Sequence, residues 1–148
     1  MEKIIRKPST SAELEAYFDL RYRILRAPWN QPPGSEKNEG DAISEHAACF
    51  VRGRLIAVGR LDIFDSDYGQ IRFMAVEVDF QGKGIGQEII NYLENISKSR
   101  GDKGMILHSR EIAIGFYKKL GYILIEKSYL LFGEIQHFLM KKDYVIGE

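Results

Sequence analysis

A chain of 148 residues, 45% hydrophobic and 28% charged, has the size and composition of one globular domain. Its 21 Lys and Arg balance 21 Asp and Glu, which speaks against a general electrostatic grip on nucleic acid or on an acidic membrane surface. The single cysteine, Cys49, excludes an internal disulfide framework and a thiolate zinc cage, and no stretch nears the roughly 18 apolar residues of a membrane span.

Residues 3–6 read as a first strand ended by Pro8. Thr10-Ser11-Ala12-Glu13 fits a capping box, and apolar residues then recur at helical spacing to about residue 26. Residues 27–41 hold three of the four prolines and the only Trp, Trp29, so a loop is expected, either pinned to the core or lying over a site. Its acidic side, Glu36 to Glu45, would attract a cationic amine. Ala47–Val51, Leu55–Phe64 and Gln70–Val78 read as an antiparallel meander joined by turns at Arg52-Gly53 and 65–69.

Gln81-Gly82-Lys83-Gly84-Ile85-Gly86 follows the third of these strands and opens a helix with Ile85, Ile89, Leu93 and Ile96 on one stripe, closed by Arg100-Gly101. A strand over Gly104–His108 follows. Ser109 is expected to cap a short helix that buries Ile112, Phe116 and Leu120, with Tyr117 on the neighbouring face. Tyr122–Glu126 and Ile135–Met140 close the chain around a Gly133 turn.

A strand, a glycine-rich loop with a lysine and a helix N-terminus form an anion-binding arrangement, because the first helical turn has free N–H groups at the positive end of its dipole. Lys83 is not followed by Ser or Thr, which excludes a Walker loop. The G-x-G-x-G spacing after a meander does not fit a dinucleotide fingerprint.

These residues resemble the pyrophosphate loop of the GNAT superfamily, the Gcn5-related N-acetyltransferases, whose pattern is Gln/Arg-x-x-Gly-x-Gly/Ala. Val78 stands where that family commonly has Pro. A second matching segment begins at Ser109 and runs through Ala113 and Gly115-Phe116-Tyr117 to Gly121-Tyr122. The closing strand is similar to that of uncharacterised bacterial members, with Gln136 in place of Pro. The resemblance implies an α/β fold over residues 1–148, a mixed and mostly antiparallel sheet with helices on both faces. It implies transfer of an acetyl group from acetyl-CoA to a primary amine. His46, Cys49, His108 and His137 lack metal-ligand spacing, so no metal is expected, and with no apolar span or secretory signal run the cytoplasm is the expected compartment. The acceptor would be a small molecule or peptide, and homodimers occur among such proteins.

By the same resemblance, Gln81, Gly82, Lys83, Gly84, Ile85, Gly86 and Gln87 would cradle the CoA pyrophosphate. Met74, Ala75 and Val76 would pair with the pantetheine arm. Ser109 and Arg110 would lie along that arm, Arg110 standing where the family often has Asn. Tyr117 matches the tyrosine that often protonates the leaving thiolate. Amine attack on a thioester also needs a base. Glu77 and His137 are the candidates, each with a purely structural alternative. His108, His137, Arg23 and Trp29 are candidates for the acceptor pocket. A non-catalytic acyl-CoA-binding module and a nucleotide-binding domain stay open as rivals.

Overall fold

The computed structural model describes residues 2–145. Seven strands form one sheet: β1 Lys3–Arg6, β2 Glu45–Val51, β3 Arg54–Ile63, β4 Tyr68–Val76, β5 Gly104–Arg110, β6 Ile123–Leu131 and β7 Ile135–Asp143. Their order is β1-β2-β3-β4-β5-β7-β6. β4 and β5 are parallel, and every other neighbouring pair is antiparallel. Two parallel neighbours need a crossover. Helix α2, Ile85–Ser99, supplies it.

Both faces of the sheet are covered, and the alternation of β2 shows how. Ala47, Cys49 and Val51 join the cluster under α2 with Ile85, Ile89 and Leu93. Ala48 and Phe50 join the opposite cluster under helix α1, Ser11–Leu25, with Tyr17 and Leu20. A strand apolar on both faces reads as an unbroken apolar run, as Ala47–Val51 does. The meander and both long helices lie where the spacing predicts, with ends moved by a few residues. The loop at 27–41 contains short 3-10 turns at Ala27–Trp29 and Glu39–Ala42.

Three local expectations change. Thr10 caps α1 by accepting from the Glu13 N–H at 3.1 Å, but the Glu13 carboxylate reaches the Ser9 N–H at 2.9 Å and Arg6 rather than closing a box on Thr10. Ser109 caps no helix: it lies within β5, its hydroxyl donating to the Arg110 carbonyl at 2.8 Å. A 3-10 turn over Glu111–Ala113 then precedes helix α3, Ile114–Lys119, and shifts its phase. Ile112 is 82% exposed and Phe116 39%, whereas Tyr117 is buried. Among the described residues no helix is long and apolar enough to cross a membrane.

Candidate active site

The site begins with a fault in the sheet. Pairing of β4 to β5 runs from Tyr68↔Gly104 to Ile71↔Leu107 and stops. On the other side of β4 the register to β3 shifts between Val58 and Arg60. Phe73, at this irregularity, has φ +56°. A bulky side chain in the left-handed region is a strained conformation, and a bulge bends the strand that carries it. β4 therefore leaves β5 from Arg72 onward, and the two strands open a cleft.

That cleft has a volume of about 270 Å³. Met74 and Phe73 line it from β4, and His108, Ser109 and Arg110 from β5. Tyr117 enters from α3, His137 from β7, Tyr129 from β6, and Trp29 from the loop after α1. Ala75 and Val76 continue β4 beyond it, packed into opposite faces of the core.

At the end of β4 the chain turns into the glycine loop. The Gln81 side chain donates to the Val76 carbonyl at 3.0 Å and ties the loop to the strand. Gly82 and Gly84 have φ +77° and +81°, a region L side chains enter only with strain, and no atom lies within 4 Å of where a Cβ would stand on either. The first backbone bond of α2 is Glu88 N–H to the Gly84 carbonyl. The N–H groups of residues 82–87 thus take no partner among the described residues. The Lys83 ammonium stands 5.4 Å from the Phe80 ring, beside this row of donors.

His137 is buried against Tyr129, the rings stacked at 4.6 Å with 12° between planes. Its Nδ1 lies 3.0 Å from the Ile135 carbonyl. A carbonyl only accepts, so in the neutral ring Nδ1 carries the hydrogen and Nε2 the lone pair. Burial holds the imidazole below its ordinary pKa, and Arg110 and Arg26 push the same way. His108, 2.9 Å from the Ser128 hydroxyl through Nδ1, is likewise lowered, by burial and then by His137 and Arg72. The Tyr117 hydroxyl takes no hydrogen bond among the described residues, and burial pushes its pKa up to about 12.

Two expected site residues are elsewhere. Arg23 and Glu77 do not line the cleft. They form a two-pronged ion pair at 3.0 and 2.9 Å, which Arg54 joins at 3.5 Å. The hydrogen bond from Arg23 holds Glu77 below the usual carboxylate range. A carboxylate so engaged is a poor base, and it faces α1 rather than an acceptor. The acidic loop side is also occupied: Asp41 serves Arg21 and Arg60, and no Asp or Glu lines the cleft among the described residues. Phe73, Tyr129, Arg26 and Arg72 are cleft residues that the spacing does not reveal. Among the described residues no three His, Cys, Asp or Glu side chains gather as metal ligands.

The sequence profile of the acetyltransferase (GNAT) family matches residues 14–122. The chain belongs to this family. An uncharacterised N-acetyltransferase of Bacillus subtilis (strain 168), YjcF, is 31% identical over 144 residues, covering 97% of this chain and all of that one. The glucosamine 6-phosphate N-acetyltransferase of Trypanosoma brucei brucei is 29% identical over 118 residues, 78% of this chain and 71% of its own length. Among solved structures, an aminoglycoside 6'-N-acetyltransferase complexed with coenzyme A superposes with a TM-score of 0.82 at 18% identity, covering 98% of this chain and 99% of that one.

Proposed function

We propose that this GNAT N-acetyltransferase moves the acetyl group of acetyl-CoA directly to a small amine in a ternary complex, with His137 as general base and Tyr117 as hydrogen-bond donor to the leaving sulfur. The observation that carries the reading is the fixed tautomer of His137. Its Nδ1–H is committed to the Ile135 carbonyl, and its lone pair belongs to Nε2 in a cleft that Tyr117 also lines. A lowered pKa keeps that lone pair free at neutral pH.

The cleft fits the co-substrate. Six free N–H groups at a helix N-terminus suit a pyrophosphate, with Lys83 adding charge. The unpaired stretch of β4 over Met74–Val76 suits a pantetheine arm added as a further strand, flanked by Ser109 and Arg110 of β5. Acetyl-CoA supplies the thioester. His137 Nε2 accepts the amine proton as the C–N bond forms. The C–S bond breaks, and the Tyr117 hydroxyl donates to the thiolate. That phenol holds its proton more tightly than a thiol of ordinary pKa does, so it stabilises the anion and remains protonated. The cytoplasm is the compartment we assign, because the reaction draws on an acetyl-CoA pool.

The test is thiol release from acetyl-CoA across a panel of amines, with wild type, His137→Gln and Glu77→Gln. Amine-dependent release that collapses in His137→Gln and survives in Glu77→Gln supports the assignment. Loss in Glu77→Gln with His137→Gln intact reverses it. Saturable acetyl-CoA binding with no amine-dependent release leaves a binding module.

A further inference from the structure

We propose that the acceptor amine carries an anionic group, a phosphate or a carboxylate, and that Arg26 and Arg72 bind it. This rests on the acetyltransferase reading and specifies its second substrate.

The argument starts from the strained Phe73. Four guanidinium groups surround its ring: Arg21 at 4.2 Å, Arg72 at 5.0 Å, Arg60 at 5.1 Å and Arg26 at 5.5 Å from the centroid. The two buried ones, Arg21 and Arg60, are neutralised. Arg21, fully buried, meets Asp41 at 2.8 Å, and Arg60 meets Asp41 at 2.9 Å and Asp62 at 2.6 Å. The other two, Arg26 and Arg72, line the cleft without a comparable partner. Arg72 comes no closer than 3.8 Å to Asp62, which is already engaged. Arg26 gives its hydrogen bonds to the backbone carbonyls of Ser35 and Leu25. The nearby Glu36 carboxylate accepts from the Gly34 N–H and makes no ion pair among the described residues.

Arg110 adds a third cation to the lining, with no ion pair among the described residues. Like charges are thus gathered in a partly dry cleft whose described lining contains no Asp or Glu. Burial first, then Arg21 and Arg72, lower the pKa of Arg26, and the opposing pull of Tyr129 and Glu36 does not cancel them. An acceptor with only an ammonium group would enter against three positive charges. One that also bears an anion relieves them with charge-assisted, two-pronged hydrogen bonds. The remaining positive field then lowers the pKa of its ammonium and favours the free, nucleophilic amine. The donors at residues 82–87 proposed for the pyrophosphate are not part of this lining, so that anionic group of the cofactor does not use up Arg26 and Arg72.

The experiment titrates the wild-type protein first with CoA, then, at saturating CoA, with inorganic phosphate and separately with succinate, by calorimetry. Arg72→Gln and Arg26→Gln are titrated alongside. At least one anion binds the wild-type CoA complex saturably. Arg72→Gln, on a partly exposed side chain, weakens it about tenfold or more, as expected for one lost charge-assisted hydrogen bond, while CoA affinity stays within about twofold. Binding of phosphate alone assigns a phosphorylated amine, of succinate alone an amino acid, and either result supports the proposal. CoA binding without anion binding, or anion binding equal in both variants and wild type, overturns the acceptor class and leaves the acetyltransferase reading standing. Absence of CoA binding overturns that reading, and this one with it.

Discussion

His137 and Glu77 show how burial and partners separate two residues that the sequence ranks alike. Both are titratable and near the expected chemistry. One has its Nε2 lone pair free in the cleft, and the other is locked to Arg23. Loss of a general base costs about 10²–10⁴-fold, which is the expected fall in kcat/KM for His137→Gln. The pH profile gives an independent check. Burial, with Arg110 and Arg26, holds His137 below the ordinary imidazole value against the opposing hydrogen bond to Ile135; Tyr129 stacks on its ring, and His108 packs on the same Tyr129. The acid limb of the activity profile therefore lies below the range of an ordinary histidine, and activity is flat through neutrality until another group titrates. A limb above 7 would assign the base elsewhere. Tyr117→Phe removes one hydrogen bond to an anion, so kcat should fall about 10–100-fold. Its hydroxyl has no protein partner among the described residues, so the melting midpoint should not drop. A stability loss with an unchanged rate would make Tyr117 a core residue only.

At the scale of elements, the glycine loop was legible because its chemistry lies in the backbone, and glycine announces backbone. Gly84→Ala tests that directly. The space around Gly84 is open, so the expected cost is the strain of a side chain at φ +81°, about 1–2 kcal/mol. Calorimetry should show weaker CoA binding, because relaxing the strain turns the loop N–H groups away from one centre. Affinity equal to wild type would mean the loop holds no ligand. Helix α3 was less legible. Its apolar spacing places Phe116 inside, but the 3-10 turn at Glu111–Ala113 advances the chain by a different angle per residue and rotates Tyr117 inward. Tyr129 was hidden because the expected strand ends at Glu126, whereas β6 runs on to Leu131. β6 slips against β7 between Leu124 and Glu126 and again between Lys127 and Leu130, so strict alternation cannot say which side chains face the cleft.

Across the whole molecule, the pairing that holds the cleft wall was invisible to spacing, because it joins residues far apart in sequence. Asp41, in the proline-rich segment, accepts from Arg21 of α1 and Arg60 of β3, and Asp62 holds Arg60 from the side. This hub fastens residues 27–44, and with them Trp29, against the sheet. Burial alone would raise both carboxylates. The hydrogen bonds from Arg21 to Asp41 and from Arg60 to Asp62 outweigh it, and both lie below their ordinary value. A carboxylate lowered in the folded state binds fewer protons there than in the unfolded chain. Its contribution is complete above the ordinary aspartate pKa of about 3.9 and is lost as pH falls through the folded value. The melting midpoint should therefore be insensitive to these groups near neutrality and fall steeply below about pH 4. Asp41→Asn leaves two guanidiniums, on side chains 0% and 2% exposed, short of their shared charge. Breaking a buried pair from one side costs about 3–5 kcal/mol, so unfolding should shift by that order with a shallower acid limb. Should the variant melt as wild type does, the arginines find other partners, and the hub does not set the position of the cleft wall.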